Sequence, residues 1–343
     1  MNAPQYHDGL EAIELKMQTV LTAQREDYLR EGVVTEQTRI DRLDRGIDAL
    51  LAYHDKIVEA LNADYGCRPR QVSMLTDVAA SIVPMKHAKK HLRKWMKGEK
   101  RPTLFPLNLF GGRSRIEYQP LGVVGVISPW NFPVNLTFGP LAGILAAGNR
   151  AMIKPSEFTP ATSQVMTEIV AKAWDEKEVA IFDGGSEVGQ AFSGLAFDHL
   201  LFTGATSVAR HIMAAASRNL VPVTLELGGK SPVIISRSAD IDKSIDRIML
   251  GKTLNAGQIC LAPDYLMVPE EKLHDVIASA HRAVTAMYPR LLDNDEYTSV
   301  INDRHFQRLN GYLDEARERG IKVITINPAG EDFSQQIGTH KIP

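Results

Sequence analysis

Cysteine is nearly absent from this chain: 343 residues hold two, Cys67 and Cys260. Two thiols so far apart do not make a disulfide framework, and the location they suggest is the reducing cytoplasm. Long apolar runs are missing as well, so nothing in the sequence reads as a bilayer span. The opening residues, MNAPQYHDGLEAIELK, contain acids and lack the apolar centre of a signal peptide. An excess of charge of one sign is missing too. The net charge of −2 exerts no global pull toward nucleic acid or a membrane surface. No repeat and no low-complexity segment is visible. What remains is 44% hydrophobic and 23% charged, the balance of a globular protein. The length suggests two domains.

Residues 36–63 read as one helix, because Ile40, Leu43, Ile47, Leu50, Leu51, Val58 and Leu61 recur at helical spacing, with Gly66 just past its end. The basic run KHAKKHLRKWMKGEKR, residues 86–101, reads as a solvated helix face rather than a nucleic-acid surface. His87 and His91 within it have the spacing of a metal pair, but no acid or cysteine stands nearby to complete a site. From residue 115 short β-like runs alternate with helical segments. The runs are RIEYQ, GVVGVIS, RAMIK, VAIF, DHLLFTG, PVTLE and SPVII, with helices near 134–147, 160–173, 187–194 and 207–217. That rhythm argues for an α/β fold with a largely parallel sheet. Helices near 241–254, 270–287 and 302–318 follow, with further strands at YLMV and KVITI.

Five short stretches have chemical potential. In SPWNFP two prolines stiffen a loop after a strand and present Asn131, whose amide suits an oxyanion; a turn asparagine bonded to its own backbone is the alternative. In IKPSE, Lys154 and Glu157 have the spacing to hold a ribose, with Glu157 repelling a 2′-phosphate; a surface ion pair is the alternative. HLLFTGATSVARHI places a glycine turn and a helix N-terminus at a strand end, which suits a pyrophosphate, although it has only Gly204 where G-x-G-x-x-G needs more. TLELGGKS is not a P-loop, since Thr224 stands where glycine is required. Its Glu226 breaks an apolar strand just before two glycines, so it is expected to be partly buried and able to act as a general base, or else to be a salt-bridged structural glutamate. Lastly, NAGQICLAPDY surrounds Cys260 with small and polar residues, and Gly257 allows the tight backbone that aims N–H groups at a reactive thiol. Cys67 reads as incidental.

Taken in order and spacing, SPWNFP, AAGNRAMIKPSE, FDGGSEVG, LLFTGATSVAR, VTLELGGKSP and NAGQICLAPDY resemble the NAD(P)-dependent aldehyde dehydrogenase family over nearly the whole chain. The similarity is greatest to the dimeric class acting on fatty and aromatic aldehydes, coniferyl-aldehyde dehydrogenases among them. The resemblance implies a Rossmann-like cofactor domain with N-terminal helices over 1–225 and an α/β catalytic domain over 226–343. It implies Cys260 as nucleophile, Glu226 as general base and Asn131 as oxyanion donor. It further implies that NAD or NADP, with NAD favoured by Glu157, lies against Pro129, Trp130, Lys154, Ser156, Glu157, the turn Gly204, Ala205, Thr206, Ser207, Val208 and Ala209, and Leu227 and Gly228. The implied reaction turns a small aldehyde, aromatic or aliphatic, into its acid through a cysteine thioester. Members of the family continue past THKIP into a Glu-Ile-Phe-Gly-Pro segment and a dimer-completing tail. The expectation is therefore a C-terminally truncated member, and a non-catalytic NAD-binding fragment is the competing reading.

Overall fold

The computed structural model describes residues 5–336 and 338–343. Its strands are β1 (Glu99–Arg101), β2 (Ser114–Ile116), β3 (Val123–Ile127), β4 (Arg150–Lys154), β5 (Val179–Ile181), β6 (His199–Gly204), β7 (Val223–Leu227), β8 (Ser231–Ile234) and β9 (Pro263–Met267). Five of them form a parallel sheet in the order β5-β4-β3-β6-β7. The chain builds outward from β3 in one direction, then returns to β3 and builds the other way. The C-terminal ends of β3 and β6 therefore flank the place where the order reverses, which is where open α/β sheets take their ligands.

Alternation along the strands divides the interior in two. Val124, Val126, Ala151, Ile153 and Val179 face a core made with helices Glu36–Ala52, His54–Tyr65, Ala80–Trp95, Asn135–Ala146 and Pro160–Ala173. Val123, Ile127, Met152, Ala180, Leu200 and Phe202 face the other core, closed by helices Gln5–Glu31, Ser186–Ser193 and Thr206–Ser217. β3 and β4 are buried on both faces, as central parallel strands must be. Gly125 is required there, because a Cβ would come within 2.6 Å of the Phe197 ring. A third, smaller core packs helices Ile241–Thr253 and Leu273–Met287 on one face of a separate parallel pair, β8 and β9. β7 runs through Leu227, across the division at 225/226 expected from sequence.

Several expectations need correction. The helix over 36–63 is two helices, Glu36–Ala52 and His54–Tyr65, separated at Tyr53, whose φ of −104° and ψ of 8° turn the chain. The second one stops at Gly66, which adopts the left-handed conformation (φ 71°) that glycine tolerates best. RIEYQ is not part of the parallel sheet; only Ser114–Ile116 is strand, paired antiparallel with β1 in a hairpin. SPVII likewise pairs with β9 and not with the main sheet. KVITI is irregular: among the described residues no strand lies beside 322–326 to take its hydrogen bonds. No helix of the described residues is long and apolar enough to cross a membrane. His87 and His91 stack ring on ring at 4.2 Å, next to Trp95, on the helix that carries the basic run.

Candidate active site

The loop after β3 is fastened at its base and along its length. Ser128 N–H donates to the Lys154 carbonyl at 3.0 Å, zipping the loop to the end of β4. Ser128 Oγ accepts from the Thr137 hydroxyl at 2.6 Å. Pro129 is buried, and Trp130 and Asn131 are half-buried. The Tyr65 hydroxyl lies 3.1 Å from the Trp130 carbonyl and 3.0 Å from that of Asn131, sharing its proton between them. Asn131 does not bond its own turn. Its Nδ2 donates to the Gln258 carbonyl at 3.1 Å, across 127 positions of sequence, so the amide is set against the thiol loop.

That loop leaves helix Ile241–Thr253 through three residues in the left-handed region: Asn255 (φ 52°), Ala256 (φ 52°) and Gly257 (φ 72°). Two amide side chains, Asn255 buried and Gln258 half-buried, hold the sharp turn. Asn255 Nδ2 donates to the carbonyls of Asn131 (3.2 Å) and Gln258 (3.4 Å). Gln258 Nε2 donates to the carbonyls of Asn255 (3.0 Å) and Ser299 (2.9 Å), while its Oε1 accepts from Ile301 N–H at 2.9 Å. The Cys260 thiol emerges exposed at the end of this pinned turn. Cys67, by contrast, is buried, and burial pushes its thiol up in pKa; Cys67 is no reagent in this setting. The turn after β7 lies against the Cys260 backbone: a Cβ on Gly229 would stand 3.1 Å from the Cys260 carbonyl, so the glycine pair permits the approach.

Glu226 departs from its expected setting. Val223, Leu225 and Leu227 face the core, and the two-residue period of the strand turns Thr224 and Glu226 to the opposite face, where Glu226 is exposed rather than partly buried. At the other end of the site, Lys154 is buried, and its ammonium donates to the Pro155 carbonyl at 2.6 Å instead of pairing with the exposed Glu157. Burial lowers the Lys154 pKa, and the carboxylates of Glu157, Asp183 and Glu187 work against that shift. The Ser156 hydroxyl is buried and accepts from Phe158 N–H at 3.2 Å.

The turn after β6 is tight and leaves backbone donors open. A Cβ on Gly204 would strike the Phe202 ring at 2.5 Å. Ala205 precedes helix Thr206–Ser217 without any side-chain cap, which leaves the first-turn N–H groups of Thr206, Ser207 and Val208 without side-chain partners in an exposed position. Ala209 is a correction: its methyl is 2% exposed and turned into the core, not toward a ligand. Gly228 is exposed just beyond Leu227. Sequence reasoning passed over Tyr65, Asn255, Gln258 and His305. Asn255 and Gln258 lie inside NAGQICLAPDY, where an amide on each side of a glycine was the available signal. His305, whose ring lies tilted against that of Trp130 at 4.9 Å and meets Phe158 edge-to-face at 5.9 Å, carried none. Burial, then Arg308 and Arg304, lowers its pKa.

The sequence profile of the aldehyde dehydrogenase family matches residues 17–337. The chain belongs to the aldehyde dehydrogenase family. It is 58% identical over 337 residues to the probable coniferyl aldehyde dehydrogenase of Caulobacter vibrioides, covering 98% of this chain and 69% of that protein. It is 53% identical to the coniferyl aldehyde dehydrogenase of Pseudomonas sp., covering 94% and 66%. The substrate-bound state of Staphylococcus aureus AldH superposes with a TM-score of 0.83 at 35% identity, over 88% of this chain and 66% of that one. The Mycobacterium tuberculosis aldehyde dehydrogenase complexed with NAD+ gives 0.79 at 25% identity, over 89% and 63%. The chain thus spans about two thirds of the length of the relatives it matches. With these relatives, the α/β architecture described above is the fold of an aldehyde dehydrogenase.

Proposed function

We propose that this chain carries the thiol and cofactor elements of an NAD(P)-dependent oxidation of an aldehyde to its acid. The observation that carries the reading is the bond from Asn131 Nδ2 to the Gln258 carbonyl. An amide has two N–H groups. One is committed to the carbonyl of Gln258, two positions before Cys260, which leaves the other for an oxyanion formed at the thiol. The Cys260 thiolate adds to the aldehyde carbon, forming a C–S bond and an oxyanion that accepts from Asn131 Nδ2 and the Cys260 N–H. NAD(P)+, when bound, supplies the acceptor for the hydride that leaves this adduct. The Cys260 thioester remains. Glu226 takes a proton from a water molecule, the hydroxyl adds to the thioester carbon, and the C–S bond breaks to release the acid and the thiolate.

Lys154, Glu157 and the free helix N-terminus after Gly204 fit the cofactor: a buried ammonium with acidic neighbours suits ribose hydroxyls, and uncapped N–H groups suit the pyrophosphate. The carboxylate of Glu157 favours NAD over NADP. The relatives at 58% and 53% identity point to an aromatic aldehyde of the coniferyl type as first substrate; homodimerisation is what the family resemblance implies for full-length members. A second reading, nucleotide binding without turnover, is favoured by the exposure of Glu226.

The test is NAD(P)H absorbance with coniferyl aldehyde and an aliphatic aldehyde. The wild-type chain is expected to form NADH, Cys260→Ala to form none, and Glu226→Gln to give one equivalent and stop. Indistinguishable traces for wild type and Cys260→Ala sink the enzymatic reading. Calorimetric binding of NAD in that same inactive sample selects the second.

A further inference from the structure

Three side chains that the chemistry above does not use converge on the Asn131 loop from beneath. Tyr65 ends helix His54–Tyr65, Arg68 follows the Gly66 turn, and Asp77 sits in a π-helical turn, Met74–Ala79. All are buried, at 2%, 1% and 0% exposure. The Tyr65 hydroxyl serves the carbonyls of Trp130 and Asn131. Asp77 Oδ1 accepts from the N–H groups of Val134 (3.1 Å) and Asn135 (3.3 Å), where the loop enters helix Asn135–Ala146. Arg68 Nη2 donates to Asp77 Oδ2 at 2.7 Å, and its guanidinium lies between the rings of Tyr65 (4.8 Å) and Phe132 (5.2 Å). Residues 130–135 are thus gripped on the carbonyl side by Tyr65 and on the N–H side by Asp77, with Arg68 wedged beneath Phe132.

This arrangement is poorly explained by stability. A fully buried ion pair returns little net free energy over an apolar packing of equal volume. Here two guanidinium nitrogens, Nε and Nη1, have no hydrogen-bond partner. What the brace does supply is geometry: it fixes the backbone that aims the Asn131 amide. The π-helical turn displaces Asp77 from ordinary helical register, a device found often near functional sites.

We propose that Tyr65, backed by the Arg68–Asp77 pair, is a positioning residue for the oxyanion amide of Asn131. The inference rests on the reading of Asn131 given above. It deepens that reading by naming what holds the amide in place. Tyr65→Phe removes only the hydroxyl and keeps the ring against Arg68, so the fold should survive.

The experiment uses the full chain and two reagents for Cys260. p-Nitrophenyl acetate acylates the thiol by carbonyl addition: a C–S bond forms through an oxyanion, and p-nitrophenolate departs. Iodoacetamide alkylates the same thiol by direct displacement of iodide, with no oxyanion. Rates measured on Cys260→Ala are subtracted as background. Tyr65→Phe is expected to slow acylation about tenfold, since displacement of a catalytic group by about 1 Å can cost that much or more, and to leave alkylation unchanged. In an Asn131→Ala background it should slow acylation no further. The inference is overturned if both rates fall together, if acylation is unaffected, or if the loss persists without Asn131. Should Asn131→Ala alone leave acylation untouched, the oxyanion reading itself fails and takes this one with it. Absence of NADH formation with acylation behaving as expected would count against the dehydrogenase reading and leave the brace supported.

Discussion

Ala256 stands four residues before the thiol with a φ of 52°, a conformation that costs an L-residue with a Cβ about 1–2 kcal/mol. Its neighbours Asn255 and Gly257 tolerate the same region far better. The strain is held in place by Asn255 and Gln258, whose amides tie the turn to Asn131 and to the 299–301 segment. Ala256→Gly should relieve it. The expected result is a rise in the urea midpoint equivalent to about 1 kcal/mol, together with faster amide hydrogen exchange in the thiol loop, because the loop is freed locally while the fold gains. A midpoint that falls would show that the turn is not strained. At this scale the sequence pointed to the residues proposed to react but not to their supports. Asn131 and Cys260 stand out because proline and glycine neighbours mark rigid, exposed backbone. Tyr65 lies past the helix read over 36–63, and nothing local says that its hydroxyl ends beneath a loop 65 positions away.

Among the elements, the strand ends locate the site, and helix Glu36–Ala52 is anchored to the sheet by charge. Glu178, just ahead of β5, accepts from Arg42 Nε and Arg45 Nη1, each at 2.8 Å. Burial alone would raise its pKa, but hydrogen bonds and charge from Arg45 and Arg42 bring it down to about 2. A carboxyl depressed below its ordinary value of 4.5 contributes its full stability above pH 4.5 and loses it as pH falls toward about 2. The amount is about 3 kcal/mol at most. Glu178→Gln should lower the urea midpoint at neutral pH and flatten its decline across that acid window; an unchanged pH profile would mean the pair is not what titrates. The elements themselves were largely legible, because β3, β4 and β6 are short apolar runs and the helices between them are periodic. The strand reading of KVITI failed because a strand is defined by its neighbour. An apolar run says nothing about whether a partner lies alongside.

Across the whole molecule, apolar surface is unevenly covered. The main sheet is covered on both faces over β3 and β4, whereas β7 leaves Thr224 and Glu226 on an open face, and β8 and β9 are covered on one face only, with Ile234, Tyr265 and Met267 exposed on the other. The tip of the β1–β2 hairpin exposes Leu104, Phe105, Leu109 and Phe110 together, with Phe110 at 83%. Contiguous apolar surface of this kind promotes association. The chain is expected to bind an environment-sensitive dye and to sediment faster as its concentration rises. Phe105→Ser/Phe110→Ser should reduce both effects and leave the unfolding midpoint nearly unchanged, since neither ring is buried. Concentration-independent sedimentation of the wild-type chain would refute this.

The sequence by itself determined the fold class and the family. Periodicity, turn residues and motif order are local properties, and each can be read along the chain. Only the tertiary structure decided how the thiol is presented. It set Asn131 against Gln258, turned Glu226 outward on β7, sent the Ala209 methyl into the core, and placed Tyr65, Arg68 and Asp77 under the loop. Those are contacts between residues far apart in the chain, fixed by which faces of the sheet and helices had to be buried. No local pattern records them.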